Sequence, residues 1–116
     1  MKIDPIRHVK GWGYEDWLIN TDLYCGKVLY VLAGKRCSLH FHKLKTETML
    51  VVDGKVLFEF REEAEDALRG LTLVAGDVFH ISPGLLHRFT AITNSTIHEF
   101  STQHFEDDSF RVEYGD

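Results

Sequence analysis

The chain has only two cysteines and two prolines in 116 residues. Cys25 and Cys37 are too few for a disulfide framework and do not have zinc-ribbon spacing. No apolar run approaches the roughly 20 residues that a membrane-spanning helix needs. The opening Met1-Lys2-Ile3-Asp4-Pro5 lacks the apolar stretch of a secretory leader, which predicts a cytoplasmic protein. Basic residues are also scarce: 13 Lys and Arg stand against 18 Asp and Glu, for a net charge of −5. A sequence-independent nucleic-acid binder carries the opposite sign, so neither nucleic acid nor membrane is an expected partner. The chain does have a 44% apolar fraction, enough for the core of one domain without cross-links, and seven histidines.

Period-two patterning dominates. In 55–61, Val56, Phe58 and Phe60 face one way while Lys55, Glu59 and Arg61 face the other, the pattern of a half-buried antiparallel strand. Similar runs predict strands over 15–20, 27–33, 37–42, 48–52, 71–74, 78–82, 87–93 and 96–102. Turn signals separate them at Gly34-Lys35, Asp53-Gly54, Gly76-Asp77, Pro83-Gly84 and Asn94-Ser95, with Asp53-Gly54 the strongest hairpin signal. The acidic stretch 62–69 reads as a polar hairpin loop with room for a single helical turn, and 105–116 as a polar tail in which Phe110 and Tyr114 are candidate anchors. The expectation is an all-β sandwich or barrel with little helix.

Position sets the histidines apart. His40 and His42 leave the same face of one predicted strand. Glu47 opens the next strand, where a hairpin would bring its carboxylate back beside the two imidazoles, and His87 follows the Pro83-Gly84 turn. Three imidazoles and a carboxylate without thiolate suit one divalent transition metal, and Mn, Fe, Co, Ni, Cu and Zn all remain open. His80 is expected to point outward, only one of His98 and Glu99 faces inward, and His8 and His104 are expected in solvent. Cys37, opposite His40 in parity, reads as a buried small hydrophobe.

The wider spacing carries a family resemblance. Gly34, five residues, His40-Phe41-His42, four residues, Glu47, six residues, Gly54 is similar to the first cupin motif at every fixed position. Gly76, five residues, then Ser82-Pro83-Gly84-Leu85-Leu86-His87 resembles the second, with Ser82 where a proline is usual and Ala91 where an asparagine is frequent. Gly11-Trp12-Gly13-Tyr14-Glu15, His98-Glu99-Phe100-Ser101-Thr102 and the acidic-then-arginine tail through Arg111 resemble phosphomannose-isomerase-like cupins. His40 departs from that group, which commonly carries glutamine there.

The resemblance implies a single cupin domain over 1–116: a jelly-roll barrel at about 24–104, an N-terminal strand segment 1–23 and the tail 105–116. It implies a metal held by His40, His42, Glu47 and His87. It also implies a metal-dependent sugar or sugar-phosphate isomerase or epimerase working through an enediolate, with Glu99 as general base. Phe58, Phe89 and Arg111 are the candidate substrate contacts. Arg88, Arg111 and Lys45 are the candidate anion partners, and the parity of Arg88 favours an outer-face ion pair. Two alternatives are an Fe(II)-dependent oxygenase or other metal-dependent lyase, and a non-catalytic sugar-binding module. A homodimer covering the N-terminal edge is expected, with Trp12, Trp17 and Phe41 as candidate contacts.

Overall fold

The computed structural model describes residues 1–116. The strands are β1 (Ile6–Lys10), β2 (Gly13–Asn20), β3 (Cys25–Val31), β4 (Leu39–Phe41), β5 (Glu47–Asp53), β6 (Lys55–Arg61), β7 (Arg69–Val74), β8 (Val78–Ile81), β9 (Leu86–Ala91), β10 (Ser95–Ser101) and β11 (Phe110–Glu113). They form a six-stranded sheet, β1-β2-β3-β10-β5-β8, and a five-stranded sheet, β11-β4-β9-β6-β7. All pairings are antiparallel. The only helical element is a 3-10 turn at Glu106–Asp108, and no helix is long and apolar enough to cross a membrane.

The register positions the site. Along β3 the inward residues run Val31, Leu29, Lys27, Cys25; along β10 they run Ile97, Glu99, Ser101; along β5, Val51, Met49, Glu47. The interior therefore changes from aliphatic to charged over the length of the barrel. The aliphatic end is the core, where Val31, Val51, Val56, Phe58, Ile81 and Ile97 are all at most 2% exposed. Each such side chain contributes roughly 1.5–3 kcal/mol through burial. The charged end has no such filling and opens as a cavity.

Several expectations change here. Asp53-Gly54 does not close a hairpin: β5 pairs with β10 and β8, β6 with β7 and β9, and the turn carries the chain from one sheet to the other. Gly54 has φ of +95°, and a Cβ there would sit 2.5 Å from the Asn94 carbonyl oxygen and 2.8 Å from Ser95 Cα. Gly54→Ala is therefore expected to destabilise the fold by about 3 kcal/mol, combining left-handed strain with a backbone clash. Urea unfolding of the two proteins measures it, and a loss below about 0.5 kcal/mol would contradict the clash.

The stretch 62–69 joins β6 to β7 as a hairpin loop without a helical turn. The polar tail is not loose, because it contains β11, which pairs with β4. Trp12 is 7% exposed in the core against Phe89, so it offers no dimer surface.

Candidate metal centre

Each of His40, His42 and His87 presents Nδ1 to a backbone carbonyl: Ser38 O at 2.8 Å, Asp108 O at 2.7 Å and Leu85 O at 2.8 Å. A carbonyl oxygen only accepts, so every Nδ1 carries the proton and every Nε2 keeps its lone pair. Ligand nitrogens of the three rings lie within 4.8 Å of one another. His40 sits directly opposite His87 across β4 and β9. Burial, reinforced by the neighbouring His87, pushes His40 down to about 3. His42 is lowered as well, chiefly by burial. Neutral imidazoles are the form a metal requires.

Glu47 arrives from the opposite sheet and not, as expected, around a β4–β5 hairpin. Its Oε1 lies 3.2 Å from His87 Nε2 and 3.8 Å from His42 Nε2. Glu47 Oε1, Glu47 Oε2 and His87 Nε2 are all buried without a hydrogen-bond partner. Convergent orphaned acceptors are costly in a protein interior. A divalent cation satisfies all of them at once, and the nitrogen and oxygen donor set suits one transition metal ion. Burial pushes the Glu47 carboxyl up, but the positive surroundings, the Lys45 ammonium among them, outweigh it and hold the group below the ordinary carboxylate range.

Lys45, 3% exposed, braces this corner. Its Nζ lies 2.6 Å from Glu99 Oε2, 3.4 Å from Glu47 Oε2 and 3.2 Å from His104 Nδ1. Burial lowers the Lys45 pKa, yet Glu99 and Glu47 together leave it above the usual value. Glu99 is raised by burial and by the charge of Glu47, with Lys45 pulling the other way.

Asp108 fixes the loop between His42 and Glu47. Its carboxylate accepts from the backbone N–H of Lys43 at 2.9 Å, Leu44 at 3.1 Å and Lys45 at 3.1 Å, while its own carbonyl orients His42. One buried residue thereby sets both the ligand loop and a ligand tautomer. Nothing in the local pattern of Glu106-Asp107-Asp108 distinguished it from a solvated acidic turn.

The cavity beside these groups measures 410 Å³. Phe89, Arg111 and Glu99 line it, with Arg111 opposite His40 across β11 and β4. Phe58 does not line it: it is 2% exposed, and its ring stacks on His87 with centroids 5.9 Å apart. Phe58 thus backs the His87 ring from the apolar core. His104 is not a solvated residue either. It lines the cavity, and burial with Lys27 and Lys45 nearby pushes it down to about 3.

Lys27 was missed altogether, although its alternation with Cys25 and Leu29 on a buried strand was a visible signal. His80 is exposed, and Arg88 bonds Glu59 and Glu113 at 2.9 Å each on the outside of the barrel. Cys37 is buried, which pushes its thiol up to about 12.

No protein-family model matches the chain. It is 33% identical over 97 residues to acireductone dioxygenase of Drosophila pseudoobscura pseudoobscura, and 30% identical over 97 residues to that of Drosophila melanogaster. Those matches take in 82% of this chain but 49% and 50% of the two relatives. The chain thus spans about half the length of the curated relatives it matches.

Among solved structures, the capsular polysaccharide assembling protein CapF from Staphylococcus aureus is similar with a TM-score of 0.85 at 22% identity, over 97% of this chain and 33% of that one. Oxalate decarboxylase from Bacillus subtilis is similar with a TM-score of 0.83 at 15% identity, over 94% and 30%. At such identities these two likenesses speak for the fold alone. Two antiparallel sheets closed around three inward imidazoles, together with these similarities, show that the chain has the cupin fold.

Proposed function

We propose that the chain is a metal-dependent enzyme for a small substrate carrying a carbonyl beside a hydroxyl, with a sugar or sugar phosphate as the substrate class. The observation that carries this reading is the placement of Glu99, a buried carboxylate, in the cavity that His40, His42 and Glu47 line, with His87 fully buried beside them. Glu47 is the fourth protein ligand. When bound, the ion supplies Lewis acidity to two adjacent substrate oxygens.

Glu99 is the base, taking the proton from the carbon next to the carbonyl and returning it to the neighbouring carbon. Lys45 holds Glu99 in place at 2.6 Å, and Phe89 and the flanking apolar wall exclude water from that side. Proton return to the neighbouring carbon is the aldose–ketose outcome, and return to the same carbon from its other face is the epimerase outcome.

Glu99→Gln is expected to lower turnover about 100- to 10,000-fold, the range of a lost general base, while leaving metal content unchanged. The assay is proton exchange with solvent, followed by NMR over a panel of sugars and sugar phosphates. An unchanged rate would remove Glu99 from the reaction.

A second reading has its own support in the sequence similarity to acireductone dioxygenase: the same proton abstraction followed by reaction with dioxygen. An oxygen electrode separates the two, since an isomerase consumes none. Under either reading the chain acts as a homodimer in the cytoplasm. Because Trp12 is buried and Trp17 lines the cavity, the edge strand β1 would pair through exposed Ile6 and Val9.

A further inference from the structure

Two lysines are buried inside the barrel, Lys27 and Lys45, each 3% exposed. Their situations differ. Lys45 is engaged by Glu99, Glu47 and His104. Lys27 donates no hydrogen bond to the protein. Its Nζ lies 4.2 Å above the Trp17 ring and 3.6 Å from Glu15 Oε1, an oxygen that already accepts from Trp17 Nε1 at 2.8 Å. Lys27 also lines the same cavity as His40 and His42. In the six-stranded sheet it stands between Trp17 and Glu99, one strand from the proposed base.

The unused donors of this ammonium are open to the cavity, where an acceptor on a bound molecule can reach them. No carboxylate of the protein comes closer to it than 3.6 Å. With a divalent ion in place and the carboxylates ionised, the row Glu15, Lys27, Glu99, Lys45, Glu47 carries a surplus of positive charge, which favours an anion in the cavity.

We propose that Lys27 is the anchor for an anionic oxygen group, a carboxylate or a phosphate, on the ligand that occupies the metal cavity. This assignment rests on the metal-enzyme reading for its substrate but not for its binding chemistry. It narrows the substrate to a molecule with two chelating oxygens at one end and a charged oxygen group at the other. The cavity of 410 Å³ lies within the range that encloses small ligands. Of the anion partners expected from the sequence, Arg88 points outward, Lys45 is already engaged, and Arg111 lines the cavity from the exposed strand β11, which leaves Lys27 as the buried ammonium with unused donors.

The test uses inorganic phosphate and glycolate as probes, titrated at constant ionic strength into the full chain with and without Mn(II). Trp17 fluorescence reports binding, because the Lys27 ammonium sits on that ring. Wild type is expected to bind at least one probe. Lys27→Met should weaken that binding at least about tenfold, while Lys27→Arg should retain it. Whichever probe binds more tightly identifies the phosphate-bearing or carboxylate-bearing class.

Equal binding by wild type and Lys27→Met overturns the assignment, as does the failure of both probes to bind wild type. Should Lys27→Met not fold, Lys27→Gln takes its place under the same criteria. Metal content, measured in parallel, keeps the two ideas apart. A chain that takes up no metal yet binds phosphate through Lys27 sinks the enzyme reading and leaves the anchor standing. A chain that takes up metal but binds neither probe does the reverse.

Discussion

Replacing His42 by alanine is expected to abolish metal retention and, with it, the response of the protein to chelators. In wild type, an ion present at about 100 times its dissociation constant adds about 2.7 kcal/mol to stability, so stripping it should lower Tm by roughly 10 °C. In His42→Ala the melting curve should be the same with and without chelator. The affinity loss should exceed the roughly 10- to 100-fold typical of outer-sphere changes, because a direct ligand is gone. The variant also leaves the Asp108 carbonyl without its donor, at about 1–3 kcal/mol. Elemental analysis beside paired melts measures both effects. Stoichiometric metal in the variant would place the centre elsewhere in the chain.

Asp108→Ala should produce the second-largest effect, and of a different kind. It removes no ligand, yet it strips the acceptor from the backbone N–H groups of Lys43, Leu44 and Lys45. Hydrogen bonds to a charged acceptor contribute about 1.5–3 kcal/mol each and do not simply add, so a stability loss of about 3–4 kcal/mol is expected. Metal affinity should fall about 10- to 100-fold, since the loop carrying Lys45 and leading into Glu47 loses its template. Asp108→Asn should recover part of both losses through its remaining carbonyl oxygen. Denaturant unfolding without metal and a competition titration with a chromophoric chelator separate the two quantities. A variant with normal metal affinity would show that the loop holds its shape unaided.

The parts of this structure that were legible in the sequence are those governed by local rules. Strand β6 alternates Val56, Phe58 and Phe60 against Lys55, Glu59 and Arg61, and its bounds agree with the reading residue for residue. The imidazole group was legible because His40 and His42 share a strand face and the glycine spacing fixes the turns around them. What escaped depends on distant pairing. Strands β1 and β11 are short edges, mostly exposed along their length. No burial forces their side chains into an apolar alternation strong enough to read.

Asp108 looks like any surface carboxylate until the loop 43–45 is folded against it. The Asp53-Gly54 turn was located correctly and misassigned in kind, since a positive φ serves a sheet-to-sheet crossing as well as a hairpin. Lys27 shares the parity of Cys25 and Leu29, but a lysine in a strand normally faces solvent, and the cross-strand register is what settles that it points inward.

Strand β4, which carries His40, has no partner next to it in sequence. Its neighbours are β9 and β11, and the bond that orients His42 spans 66 residues. Hairpins such as β1–β2 and β6–β7 close locally, on a timescale of about 1–10 μs. The ligand strand has to wait for loop closures that are entropically expensive and therefore late. An ion meeting the unfolded chain finds no preformed cage to nucleate around. Metal uptake during refolding is therefore a clock for the final step of assembly, ticking only once the barrel has closed.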